Sequence, residues 1–335
     1  MKHSVPPRLR LGRLRRWGAC GAVLALAWSA PQASAAPQPV LLAEHGLAEL
    51  SPGAAWKPAS RAATLAAACA PGAAVPRLAL FAGPVGRIGL QGCRRDSQAL
   101  VESFDFARFA VVLAVPSTGE VMPLGTADLF RAFGVAAGGT AETRRWNDVR
   151  AGLPSRPAGL SAARTGSAAA MLFGAAIMEP GCVAARAMVA FAAALREAQC
   201  AALRPSPDIA VRPAGEAALL AWTGTAPAGA VAVVTLAELR ALQGRLLPVP
   251  IDGVLPTVGN IVSGAYAATV HLHLLIVLPQ AMDAAAREAG RAAVFELLSE
   301  RSLGPGGSMS AAGVIGPPAA DRMTLRGRAF SLLAP

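Results

Sequence analysis

Residues 109–115 read FAVVLAV, seven apolar residues in unbroken succession with three valines among them. A run this short and this β-branched is a strand. No polar residue interrupts it, so both of its faces must be covered. A strand covered on both faces requires helices layered on a sheet. The rest of the chain supplies them. Helical patterns fall at 59–70, at 126–133 with Thr126 as N-cap, at 184–199, at 216–222 and at 282–299, with a short one around Asp321. In the second of the long ones Met188, Phe191, Ala192 and Leu195 share a face. GAVAVVTLAEL reads as a strand entering a helix, and 246–251 and 269–278 read as strands. AGGTAETRRWNDV is a loop that closes on residues 146–149. Strands alternating with helices predict an α/β fold with largely parallel sheets and no internal repeat. With 335 residues, 54% of them hydrophobic, the chain can build one large or two medium domains.

Residues 1–35 stand apart. Lys2, Arg8, Arg10, Arg13, Arg15 and Arg16 form a basic head, 18–28 is apolar, and Ala33-Ser34-Ala35 offers small side chains for cleavage before Ala36. This is the layout of a secretory signal peptide, and it predicts export. The apolar run is too short to span a bilayer. Without this segment the formal charge falls from +11 to about +5. The remaining basic residues are scattered arginines with no stripe interleaved with aromatics, which argues against nucleic-acid binding. Four cysteines follow the segment: Cys69, Cys93, Cys182 and Cys200. An even number in an exported chain predicts two disulfides, with three pairings open; sequence-local pairing would give Cys69–Cys93 and Cys182–Cys200. Metal binding by these cysteines is disfavoured, because no CxxC or Cys/His cluster exists.

SAARTGSAAAMLF, residues 161–173, carries a polar island in an apolar stretch: Arg164, Thr165, Gly166 and Ser167. A helix follows. Its entrance has backbone N–H groups without partners, where a hydroxyl caps and an anion can bind. His271 and His273 alternate on a strand and face one side. Their neighbours are apolar and no third ligand is near in sequence, so strand packing is favoured over a metal site. No G-x-S-x-G occurs to mark a serine hydrolase, and Gly304 to Gly307 follow a helix rather than a strand, against a nucleotide loop. Asp148 and Asp252 read as structural. The residues predict no enzyme, no cofactor and no metal.

Several stretches, in order, resemble the periplasmic phosphate-binding proteins that serve ABC phosphate importers. IDGVLPTVGNIVSGAY (251–266) is similar to that family's V-x-G-V-x-P-T-x-x-N-I-x-x-G-x-Y segment through Gly253, Pro256, Thr257, Asn260, Ile261, Gly264 and Tyr266. LGPGGSMSAAGVIGPPAADR (303–322) resembles its terminal segment, with Ser308 where a tyrosine is usual. WNDV at Trp146 and FDFARFAVVLAV resemble its second-lobe loop and its crossover strand. The resemblance implies a two-lobed α/β periplasmic-binding-protein fold of type 2, its lobes joined by two crossover strands: 36–115 plus 226–335 as one lobe, 116–225 as the other. It also implies a monomer that captures a small oxyanion such as phosphate between the lobes and presents it to an inner-membrane ABC permease. CAPG at Cys69 and MEPGC at Cys182 resemble disulfide sites of some members.

The departures bear on the ligand. The interval from Ala36 to Cys69 is too short for the usual first strand, hydroxyl-rich loop, helix and second loop, so a shortened first strand and loop are expected. Ser60 is the hydroxyl that remains from the second loop. Ala82-Gly83-Pro84 falls where a Ser-Arg-Pro turn is usual, and Ala217-Ala218 where Asn-Asp is. Thr165-Gly166-Ser167 mirrors the family's Ser-Gly-Thr helix start; Ala168 replaces the arginine after it, and Arg164 precedes it. The expected anion site is Arg164, Thr165, Gly166, Ser167 and Ser60. One helix end contributes roughly 0.3–2 kcal/mol, too little alone for tight phosphate binding. The alternative expectation is a ligand-free relative acting as an envelope protein-interaction or sensory module.

Overall fold

The chain enters its sheet through β1 (Val40–Glu44). In the computed structural model, which describes residues 37–51, 53–135, 144–192 and 195–334, a single 3₁₀ turn (Leu47–Leu50) follows. Next come β2 (Lys57–Ala59), α1 (Arg61–Cys69), β3 (Arg77–Ala82), α2 (Arg87–Ser97) and β4 (Leu100–Pro116). The interval before Cys69 therefore holds two strands and a helix. Residues 45–56, which include the 3₁₀ turn, join β1 to β2, and Ser60 alone joins β2 to α1. The signal-peptide segment and residues 137–143 of the expected loop lie outside the described residues.

After β4 come α3 (Thr126–Phe133), α4 (Trp146–Val149), β5 (Leu160–Ala162) and α5 (Ala168–Phe173). A π-helical turn (Gly174–Met178) continues α5 into α6 (Glu179–Ala184). A 3₁₀ turn (Ala187–Ala190), α7 (Arg196–Ala201), β6 (Ile209–Val211) and α8 (Glu216–Thr225) lead to β7 (Val231–Thr235) and α9 (Leu236–Ala241). The chain ends through β8 (Leu246–Val249), α10 (Val258–Val262), β9 (Thr269–Leu278), α11 (Ala284–Leu297), α12 (Glu300–Leu303), α13 (Ser308–Ala311), β10 (Val314–Ile315) and α14 (Ala319–Leu332). Among the described residues no helix is long and apolar enough to cross a membrane.

The strand order is β2-β1-β3-β9-β4-β7-β5-β6, with β8 and β10 also pairing β4. The sheet is mixed rather than largely parallel. β1 is parallel to β2 and β3, and β5 to β6 and β7. Every pairing of β4 and β9 is antiparallel. The reason is the length of β4. Its first part, from Leu100 to Ala110, lies along β9, and its last part, from Val111, lies along β7 and β8. One strand thus runs through both parts of the sheet, and β7 returns beside it in the opposite direction. This is how two α/β lobes share a pair of crossing strands. Phe109 to Val115 are buried throughout, as an uninterrupted apolar run requires.

Two local expectations change, and both expected disulfides form. Gly125, not Thr126, is the N-cap of α3, and the Asp128 carboxylate accepts its N–H at 2.9 Å. The stretch 184–199 is not one helix. Arg186 turns left-handed at φ +57°, and the Cys182–Cys200 disulfide draws α7 back to α6. A straight helix of sixteen residues would carry its end about 24 Å away. Cys69 pairs with Cys93, tying α1 to α2. In chain-entropy terms each bridge contributes about 3 kcal/mol.

Glu179, at the start of α6, is half-buried, and its carboxyl is raised from 4.5 to about 7 by burial and then by Glu197. Its folded value exceeds its unfolded one, so the native state binds more protons between the two. Its stabilising contribution is complete below pH 4.5 and is lost as pH rises to about 7. Thermal unfolding across that window should show Glu179→Gln with a flatter pH dependence than the wild type. An unchanged slope would assign the titration elsewhere.

Candidate anion-binding site

The polar island is a turn that opens a helix. The Ser167 N–H donates to the Arg164 carbonyl at 3.0 Å. The third residue of the turn, Gly166, has φ +79°, which glycine adopts without strain. Ser167 is the N-cap of α5, and its Oγ accepts the Ala170 N–H at 3.2 Å. Helix α5, the π turn and α6 run on from 168 to 184 without a break. The entrance therefore carries the dipole of a long helix.

An anion from the chain itself sits there. Glu49, on the 3₁₀ turn after β1, reaches the entrance of α5. Its Oε1 accepts the Ala168 N–H at 2.6 Å, and its Oε2 accepts from Arg164 Nη2 at 2.9 Å. One carboxylate thus takes the helix N–H and the guanidinium that a bound oxyanion would take. The approach is close. At Gly46, with φ +83°, an added Cβ would lie 2.8 Å from both the Ala168 nitrogen and the Ser167 carbonyl carbon. The first loop and the seat meet backbone to backbone.

A second carboxylate performs the same service on the other side of the loop. Glu44, at the end of β1, accepts from Arg61 Nη1 at 3.0 Å and from the Ala82 N–H at 3.1 Å through Oε2. Arg61 also donates to the carbonyls of Ala82 and Pro84, at 2.8 and 2.7 Å, and lies over the Phe81 ring. The Gly83 N–H donates to the His271 carbonyl at 2.7 Å. Ser60 caps α1, its Oγ accepting the Ala63 N–H at 3.3 Å. The donors at the Ala82–Pro84 turn are thus taken up by the chain, and the Ser60 hydroxyl serves its own helix.

The structure keeps Arg164, Thr165, Gly166 and Ser167 together and gives Ser60 a separate task. Sequence reasoning missed Glu44 and Glu49. The available signal was two acidic residues flanking His45-Gly46 where a hydroxyl-rich loop was expected. Beside the turn lies an apolar pocket of ≈ 420 Å³, lined by Thr165, Gly166, Met171, Phe173, Leu203 and Val211 among others. The Asp252 and Asp148 of the motifs are structural. Asp252, at φ +51°, donates its N–H to the Leu124 carbonyl at 2.9 Å, and Asp148 accepts the Arg145 N–H at 3.2 Å. Tyr266 is fully buried, donating to the Val111 carbonyl at 3.1 Å, and burial pushes its phenol up.

Several solved phosphate-binding proteins share this architecture. A possible phosphate binding protein from Planctomyces limnophilus matches with a TM-score of 0.62 at 17% identity, covering 88% of this chain and 99% of that one. PstS from Borrelia burgdorferi matches with a TM-score of 0.54 at 11% identity, over 84% and 99%. An ABC-type phosphate transport receptor from Vibrio cholerae matches with 0.50 at 13% identity, over 83% and 100%. No family model and no curated protein matches the sequence. The likeness establishes the fold: two α/β lobes, as in the phosphate-binding proteins of ABC transporters.

Proposed function

We propose that this chain is a periplasmic solute-binding protein that keeps an oxyanion seat at the entrance of α5 and holds that seat with its own Glu49. The lobes are 36–115 plus 226–335 and 116–225. A small oxyanion such as phosphate enters between them only by displacing the Glu49 carboxylate, and the loaded form is what an inner-membrane ABC permease receives. The carrying observation is the double contact of Glu49 with the Ala168 N–H and Arg164. A tethered carboxylate acts at high effective concentration, so free phosphate binds weakly. Calorimetry with phosphate tests this. Weak, saturable heat in the millimolar range is expected, about −4 kcal/mol of binding free energy. Thr165→Ala combined with Ser167→Ala should remove it. Micromolar binding by the wild type would show that Glu49 does not hold the seat.

A second reading has its own support. Arg61 and the Ala82 N–H are satisfied by Glu44 as the α5 entrance is by Glu49. A site satisfied on both sides is what a ligand-free envelope module for protein interaction or sensing would show. No heat from phosphate in a folded wild type, and none after removal of Glu49, would favour that reading.

A further inference from the structure

We infer that Asp105, His271 and His273 form a binding site for a divalent metal ion of the zinc class. Sequence spacing offered only the two histidines, alternating on β9. The third ligand comes from β4, 166 residues away from His271 in the chain. Antiparallel register places Asp105 directly opposite His273 and Arg108 opposite His271. A β-bulge between Asp105 and Ala107 makes that register possible. In an unbulged ladder Ala107 would face His271, and Arg108 would point to the other side of the sheet.

The three side chains already converge. The His271 Nδ1 and the Asp105 Oδ2 are 2.9 Å apart. One ligand atom from each of the three residues lies within 4.8 Å of the others. A tetrahedral ion with bonds of about 2.0–2.1 Å needs donors about 3.4 Å apart. Asp105 and His271 are exposed and His273 is half-buried, so rotation of surface side chains closes the difference. Arg108 Nη1 donates to the Asp105 Oδ1 at 2.5 Å, which orients the carboxylate and leaves Oδ2 turned toward the histidines. Two imidazoles and one carboxylate suit zinc and its borderline neighbours. With three protein ligands, a fourth position stays open to water or to an oxygen of a bound molecule. Because the His271 carbonyl holds the Gly83 N–H, the site is joined directly to the turn after β3.

Titrating the folded chain with zinc in a phosphate-free, non-chelating buffer tests the site by calorimetry. One ion per chain is expected, with a higher thermal unfolding midpoint on binding. His271→Gln should weaken binding by at least about tenfold, as loss of a ligand must exceed the loss of a mere supporting contact. His271 is exposed, so that variant retains the fold. Cobalt titration of the wild type gives an independent reading, since tetrahedral, imidazole-bound cobalt shows visible absorption bands far stronger than those of the hydrated ion. No saturable zinc uptake at submillimolar concentration would overturn the assignment. So would equal affinity in wild type and His271→Gln, or cobalt without such bands.

Discussion

Gly46→Ala should lower the unfolding free energy by about 3 kcal/mol, the sum of backbone strain and a steric collision. Gly46 has φ +83°, and its missing side chain is what lets the first loop touch the entrance of α5. The added Cβ would lie 2.8 Å from the Ala168 nitrogen and 2.9 Å from the Ser167 oxygen. Both are backbone atoms, so neither can swing aside. The loop would have to lift, and Glu49 would lift with it. A control separates the two costs. Gly53 has φ +93° but nothing within 4 Å of its added Cβ. Gly53→Ala should therefore show the backbone strain alone, about 1–2 kcal/mol. Urea denaturation of the two variants gives the comparison. Equal losses would mean that the loop does not press on the seat.

Trp146→Ala should cost about 3–5 kcal/mol, the range for a buried large aromatic. Trp146 is fully buried. Its Nε1 donates to the Gly229 carbonyl at 2.7 Å, and its ring meets Phe133 edge-on at 5.6 Å. It thus ties α4 to the segment that leads into β7. Trp146→Phe keeps much of the volume but orphans that carbonyl, so it should cost about 1–3 kcal/mol. Denaturant midpoints order the three proteins. A Trp146→Ala loss below that of Trp146→Phe would contradict the packing described.

What could be read from the sequence is what depends on neighbours in the chain. FAVVLAV became the buried end of β4, and residues 269–278 became β9 with those bounds. The island at Arg164 to Ser167 was read as a helix entrance, and Ser167 does cap one. What depends on distant partners was not readable. The antiparallel sheet centre follows from β4 and β9 lying side by side, a register that no local pattern encodes. The expected helix over 184–199 failed because alanine-rich propensity yields to a disulfide and a left-handed Arg186. Glu49 stands 115 residues before Arg164 and 119 before Ala168. Nothing in LAEHGLAEL announces that one of its acids closes a helix entrance so far along. Asp105 was missed for the same reason, since only strand pairing brings it to His271.

The central claim is that the chain's own carboxylate holds the anion seat. The direct measurement is the phosphate affinity of Glu49→Ala against that of the wild type, both by calorimetry at one pH and ionic strength. Removing Glu49 frees the Ala168 N–H and the Arg164 guanidinium and takes away a like charge. The affinity should rise by at least about tenfold, or 1.4 kcal/mol. Equal affinities, or tighter binding by the wild type, would contradict the account.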